Sequence, residues 1–175
     1  DRGLPWKDSR DFAIEPGDLL TFDGGFRSLT FSSDMKRSAY VLRPNEKEPP
    51  DILQQAWQET LRVSDMFSEH LIPGSTGLKV WRDLAAELEK EGFVVAGSGD
   101  RPADTGGVRV SLYGHSVGND IHDVGTRIAP VRGTPDFRAN LPLIEGEWIS
   151  VEFHLTTPDP DDAGRVWHTR FEQPG

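Results

Sequence analysis

The sequence predicts an α+β fold. Three observations carry that expectation: a strand hairpin between Leu19 and Leu42, two consecutive amphipathic helices between Asp51 and Gly92, and a return to strand patterns from Phe93 to Glu172. Strands and helices are segregated along the chain instead of alternating. The 175 residues are one domain's worth, and 35% hydrophobic with 27% charged residues is the composition of a folded globular chain. The 29 acidic residues against 19 basic ones give a net charge of −10, which argues against nucleic acid or an anionic membrane surface as partner. With no cysteine, disulfides, thiolate ligands and a thiol nucleophile are excluded. No apolar run reaches the roughly 18 residues that a membrane-spanning helix needs.

Taken in order, Asp1–Arg10 is charged and irregular, and Ile14-Glu15-Pro16-Gly17-Asp18 is a turn that feeds the first strand. Leu19-Leu20-Thr21-Phe22-Asp23 suits a pleated surface, and the return strand runs from Leu29 to Asp34 and on through Ser38–Leu42. A turn centred on Ser28-Leu29 would set Asp23 directly opposite Asp34. Cross-strand neighbours lie about 5 Å apart at Cβ, where like charges repel. The pair is therefore either two solvated carboxylates or two ligands of a divalent cation that offsets the repulsion.

The polar loop Arg43–Pro50 ends the hairpin. Asp51 is placed to cap a helix with apolar positions at Ile52-Leu53, Ala56-Trp57, Leu61, Val63 and Met66-Phe67, stopped by Pro73-Gly74. Ser75 or Thr76 caps a second helix through Trp81, Leu84, Ala85 and Leu88, closed by Gly92. Both helices read as structural, and His70 reads as a surface residue at a helix terminus that suits a cation.

Phe93–Ala96 is a short strand, followed by a Gly- and Asp-rich loop to Gly107. Val108–Tyr113 alternates as a strand and runs into Gly114-His115-Ser116-Val117-Gly118-Asn119-Asp120-Ile121-His122-Asp123. Two histidines among three glycines within residues 114–125 mark either structural residues or a site that backbone can approach closely. A long loop, Gly125–Leu143, leads to the turn Glu145-Gly146-Glu147. The apolar strand Trp148–Leu155 is interrupted by Glu152, which needs either a buried partner or a solvated face shared with Ser150 and His154. After the loop Pro158–Asp162, the last strand is Arg165–Glu172.

Two Asp on a hairpin, one His after a strand and two Glu on later strands are hard or borderline ligands, suited to a pair of carboxylate-bridged Mn, Co, Zn or Fe ions. In this order the set resembles the pita-bread metallopeptidases: methionine aminopeptidase, aminopeptidase P and prolidase. The similarity rests on Phe22-Asp23-Gly24-Gly25, Ser33-Asp34-Met35-Lys36-Arg37, Gly114–Asp123, Glu145–Glu152 and Thr169-Arg170-Phe171-Glu172, with the helix pair joined through Ile72-Pro73-Gly74. It covers nearly the whole chain.

The resemblance implies the pita-bread fold, a curved and mostly antiparallel sheet flanked by helices. Residues 1–175 would be a single C-terminal metallopeptidase catalytic domain, incomplete at both ends. Asp23 would chelate one ion, Asp34 and Glu172 would bridge both, and His115 and Glu152 would complete the second. A bridging hydroxide would be the nucleophile, with Glu152 also carrying its proton to the leaving amine. His122 would hydrogen-bond the substrate or the tetrahedral intermediate, Arg170 would support a ligand carboxylate, and His154 would contact substrate.

Arg170 and Asp120-Ile121-His122-Asp123 look more like aminopeptidase P and prolidase than methionine aminopeptidase. The implied reaction is hydrolysis of an N-terminal Xaa-Pro bond in a peptide, with two divalent ions, Mn first and Co, Zn or Fe as alternatives. A homodimer and a cytoplasmic location go with it. Two positions depart from the family pattern: Phe153-His154 follow Glu152 where relatives carry Pro-Gly, and Ser111 stands where many proline-specific members carry His. The competing readings are a pita-bread binding module without catalysis, a methionine aminopeptidase-like enzyme and a metal-free creatinase-like hydrolase. All five ligand positions are retained, which argues against the module and the metal-free hydrolase.

Overall fold

A computed structural model describes residues 13–96, 107–130, 137–162 and 164–174. The expected irregular segment at 1–10 and the body of the Gly- and Asp-rich loop lie outside the described residues. The fold is α+β, as the sequence predicts. Its elements are β1 (Leu19–Gly24), β2 (Arg27–Ser28), β3 (Phe31–Ser32), β4 (Met35–Tyr40), α1 (Asp51–Glu69), α2 (Gly77–Lys90), β5 (Val94–Ala96), β6 (Arg109–Ser116), β7 (Arg127–Ile128), β8 (Ile149–Pro158) and β9 (Val166–Pro174). The main sheet runs β1-β4-β9-β8-β6-β5, with β7 paired to β6. Every described pairing in it is antiparallel except β5 on β6.

Alternation of side chains along each strand gives the sheet two unlike faces. Val110, Leu112, Val151, Phe153, Leu155 and Phe171 form the apolar face, which meets Val63, Phe67, Leu84 and Leu88 of the two helices. Phe153 stacks on Phe171, with centroids 5.1 Å apart, and Trp57 of α1 tilts against the same Phe171 at 6.3 Å. Gly114 lets α1 come close: a Cβ there would lie 3.2 Å from the Phe67 ring and 3.3 Å from Ile128. The helices so occupy one face and leave the other to polar side chains.

Several local expectations need correction. Asp23 and Asp34 are not cross-strand partners: Asp23 opposes Lys36, and Asp34 lies just before β4. The register shifts because the turn centres on Leu29-Thr30, with Leu29 at φ +55 and the short ladder pairing Arg27 to Ser32. Gly25 holds this arrangement, since any Cβ there would run into the Ser33 carbonyl. Asp51 is not the cap of α1; that position is Pro50, with Asp51 in the first turn where a carboxylate suits the helix dipole. Thr76 does cap α2, its hydroxyl accepting from the Lys79 N–H. His70 ends α1 and pairs with Glu87 of α2 at 2.8 Å. His115 belongs to β6 itself, and β7 with a 3-10 turn at Phe137–Asn140 interrupts the expected long loop.

Phe67 is fully buried at the centre of the helix–sheet interface. Phe67→Ala is therefore expected to cost about 3–5 kcal/mol of stability by denaturant unfolding, against about 1 kcal/mol for Thr76→Ala.

Candidate metal centre

The polar face is organised by register. Asp23, Lys36, Glu172, Glu152 and Tyr113 are successive partners across β1, β4, β9, β8 and β6, forming one row over five strands. Two residues along from Tyr113 on the same face of β6 comes His115. Asp34 precedes Lys36 by two and shares its face. The structure thus brings Asp23, Asp34, His115, Glu152 and Glu172 together, although 149 residues separate the first from the last in sequence.

Glu172 is the centre of the cluster and is 0% exposed. Its Oε1 accepts from the Ser150 hydroxyl at 2.8 Å and lies 3.3 Å from His115 Nε2. His115 Nδ1 donates to the Ser116 carbonyl at 3.1 Å, which turns Nε2 toward Glu172 and, at 3.6 Å, toward Asp34 Oδ2. His122 is exposed, but its ring stands 4.4 Å from that of His115, and its donor atom groups with those of Asp34 and His115 within 4.8 Å.

Lys36 is the residue that sequence reasoning missed. Only 8% exposed, its ammonium reaches Glu152 Oε1 at 2.7 Å, Glu172 Oε2, and Asp23 Oδ2 at 3.4 Å. Its three N–H donors thereby face three of the five expected ligands. The signal was present in its spacing: a residue two after Asp34 on a strand must share the face of Asp34.

The charges shape one another. Burial first, and then the Glu172 charge, push the Asp34 carboxyl up to about 6. Burial would raise Glu172 too, but hydrogen bonds from His115, Lys36 and Ser150 hold it well below the usual carboxylate range. Burial would depress His115, yet its contact with Glu172 carries it above the ordinary imidazole value. Glu152 is raised, by burial and then by Glu172. Arg170 lies across the strand pair from His154, and burial lowers its pKa against the opposing pull of Asp23 and Glu152.

Donors that share one ion at about 2.1 Å stand roughly 3.0–3.5 Å from each other. The 3.3 and 3.6 Å separations around His115 Nε2 are close to that spacing. The donor atoms fall into three overlapping trios within 4.8 Å, Asp34 with His115 and His122, His115 with Glu152 and Glu172, and Asp23 with Asp34 and Glu172, each of which could hold a divalent ion. Asp23 and Glu152 are less free, since Lys36 is already on them.

His154 sits beside this cluster, with Nε2 3.7 Å from Glu152 Oε1, and His168 lies further along β9. Burial foremost, then the Arg170 and Lys36 cations, push His154 down to about 4; 40% of its side chain is exposed, but Nε2 is fully covered and makes no hydrogen bond. His168, bonded through Nδ1 to the Thr156 hydroxyl, is lowered by burial and by Arg170. A histidine depressed in the fold stabilises it above its unfolded value of 6.5, and that contribution is lost as pH falls toward the folded value. Replacing His154 and His168 by Gln is expected to flatten the decline of melting temperature between pH 6.5 and 4; an unchanged slope in thermal unfolding would contradict this.

The profile of metallopeptidase family M24 matches residues 2–173. The prolidase from Pyrococcus furiosus superposes with a TM-score of 0.59 at 27% identity, over 98% of this chain and 42% of that one. The X-Pro aminopeptidase from Thermotoga maritima MSB8 superposes at 0.60 and 21% identity, over 98% of this chain and 40% of that one. In sequence, the "Uncharacterized peptidase YqhT" of Bacillus subtilis (strain 168) is 27% identical over 156 residues, 89% of this chain and 37% of the relative. The chain thus spans about two-fifths of the length of these relatives. Its mostly antiparallel sheet backed by two helices is the pita-bread fold, and with the profile matched over nearly every residue, the chain belongs to metallopeptidase family M24.

Proposed function

We propose that this chain is the catalytic part of a metal-dependent peptidase that releases the N-terminal residue of a peptide, with proline on the far side of the scissile bond. The observation that carries the reading is the convergence of Asp23, Asp34, His115, Glu152 and Glu172 in overlapping trios on the polar face of an M24 sheet. Membership in the family supports peptide hydrolysis. The names of the prolidase and X-Pro aminopeptidase that share its fold support proline, as does the stretch Asp120-Ile121-His122-Asp123. The reading is of a protein acting on peptides, with a homodimer as its assembly and the cytoplasm as its place. Among the described residues no helix is long and apolar enough to cross a membrane.

In this reading Asp34, His115 and Glu172 would hold a divalent ion, manganese first and cobalt, zinc or iron as alternatives. A bound ion would polarise the scissile carbonyl and lower the pKa of an attacking water. Glu152, raised by burial, takes the proton from that water and returns it to the leaving amine. His122, whose imidazole is lowered from its ordinary value by burial and then by His115, hydrogen-bonds the substrate at the exposed edge of the cluster. Arg170 steadies Asp23 and Glu152 from behind, and His154 lies on the substrate's path beside Glu152. A second ion would need Asp23, Glu152 and Glu172 to serve it as well as Lys36.

Full-length protein supplied with Mn or Co is expected to cleave Xaa-Pro peptides in preference to Met-Xaa peptides, followed by release of the free amino acid. Processing of Met-Xaa alone would refute the proline preference. Asp34→Asn should lower metal-dependent turnover by at least about a hundredfold while circular dichroism stays native. Unchanged turnover would remove Asp34 from the ligand set.

A further inference from the structure

We infer that Lys36 takes the place of one of the two metal ions, so that the centre holds a single divalent ion on Asp34, His115 and Glu172. The inference rests on the metal-dependent reading above and gives the reason that it stops at one ion.

Lys36 lies in the row across the sheet, between Asp23 on one side and Glu172 on the other, with Glu152 next beyond. The ion assigned to Asp23, Asp34 and Glu172 would have to sit among these same carboxylates. The Lys36 ammonium is already there, within 2.7 Å of Glu152 Oε1, on Glu172 Oε2, and 3.4 Å from Asp23 Oδ2. An ammonium is a compact monocation with three donors and no acceptor, so it can neutralise carboxylates as an ion does but can never ligate one. A dication using the same oxygens would displace it or be repelled by it.

The two oxygens of Glu172 divide the cluster. Oε2 faces Lys36, whereas Oε1 faces Ser150 and His115. On the Oε1 side, His115 Nε2 and Asp34 Oδ2 stand 3.6 Å apart, and His122 completes a group of donors. That half accepts an ion without disturbing Lys36. Burial makes the division hard to undo. Lys36 is 8% exposed on a central stretch of β4, and withdrawing its ammonium toward solvent would leave Glu172 buried without its counter-charge.

The test is a count of ions in full-length protein equilibrated with excess Mn(II) and desalted, by plasma mass spectrometry, together with the electron paramagnetic resonance spectrum. The native protein is expected to hold about one Mn per chain with a six-line mononuclear signal, and Lys36→Ser about two with a spin-coupled signal. If Lys36→Ser does not fold by circular dichroism, Lys36→Gln, of similar reach and no charge, is counted instead. Two ions in the native protein would overturn the inference and leave the metal-dependent reading standing. One ion in both native and neutral variants would also overturn it, because Lys36 would not be what excludes the second. No ion in the native protein would overturn both the inference and the reading beneath it.

Discussion

The arrangement depends on neutralising a carboxylate that has no access to water. Glu172 is fully buried in the middle of a sheet, and an isolated ionised carboxylate there would be far too costly to keep. It survives as an anion because a hydroxyl from β8, an imidazole from β6 and an ammonium from β4 converge on it. Each of those groups is in turn fixed by the register. Shifting β9 by one residue against β4 or β8 would turn Glu172 toward the apolar face and Phe171 toward the polar one. The electrostatics of the centre and the pairing of the strands are thus one constraint seen from two sides.

The same constraint explains the division of labour between the layers. The helices contribute no donor to the described cluster; their work is to cover Val151, Phe153, Leu155 and Phe171 and so hold the strands in register. Gly114 shows how closely this is done, with the backbone of β6 brought against Phe67 directly behind the polar face. The helices and the apolar face lie behind the cluster, and the exposed Asp23 and His122 lie at its edge.

Much of this was legible in the sequence, and what was not has physical causes. Helix periodicity located α1 and α2, period-2 alternation located β6, and runs rich in strand-forming residues located β1 and β8. The hairpin register was off because it turns on Leu29, a residue type that carries no signal for positive φ. Proline at the cap of α1 offers no side-chain acceptor, so the neighbouring Asp51 drew the assignment. The convergence of acidic and histidine residues could be anticipated from their motifs, whereas Lys36 was passed over inside one of those same motifs. A lysine on an amphipathic strand ordinarily marks the solvated side. Only the burial of its neighbours, a property of the assembled sheet, makes it central.

The strand order makes the centre a long-range assembly. β9 is the last strand among the described residues, yet it lies in the interior of the sheet, between β4 and β8. The contacts of Lys36 with Glu152 and Glu172 span 116 and 136 residues. Without β9, β4 lacks its inner partner and the carboxylates of β1 and β8 have nothing between them to hold the row. Pairings this distant in sequence raise the contact order, which slows the folding of a domain.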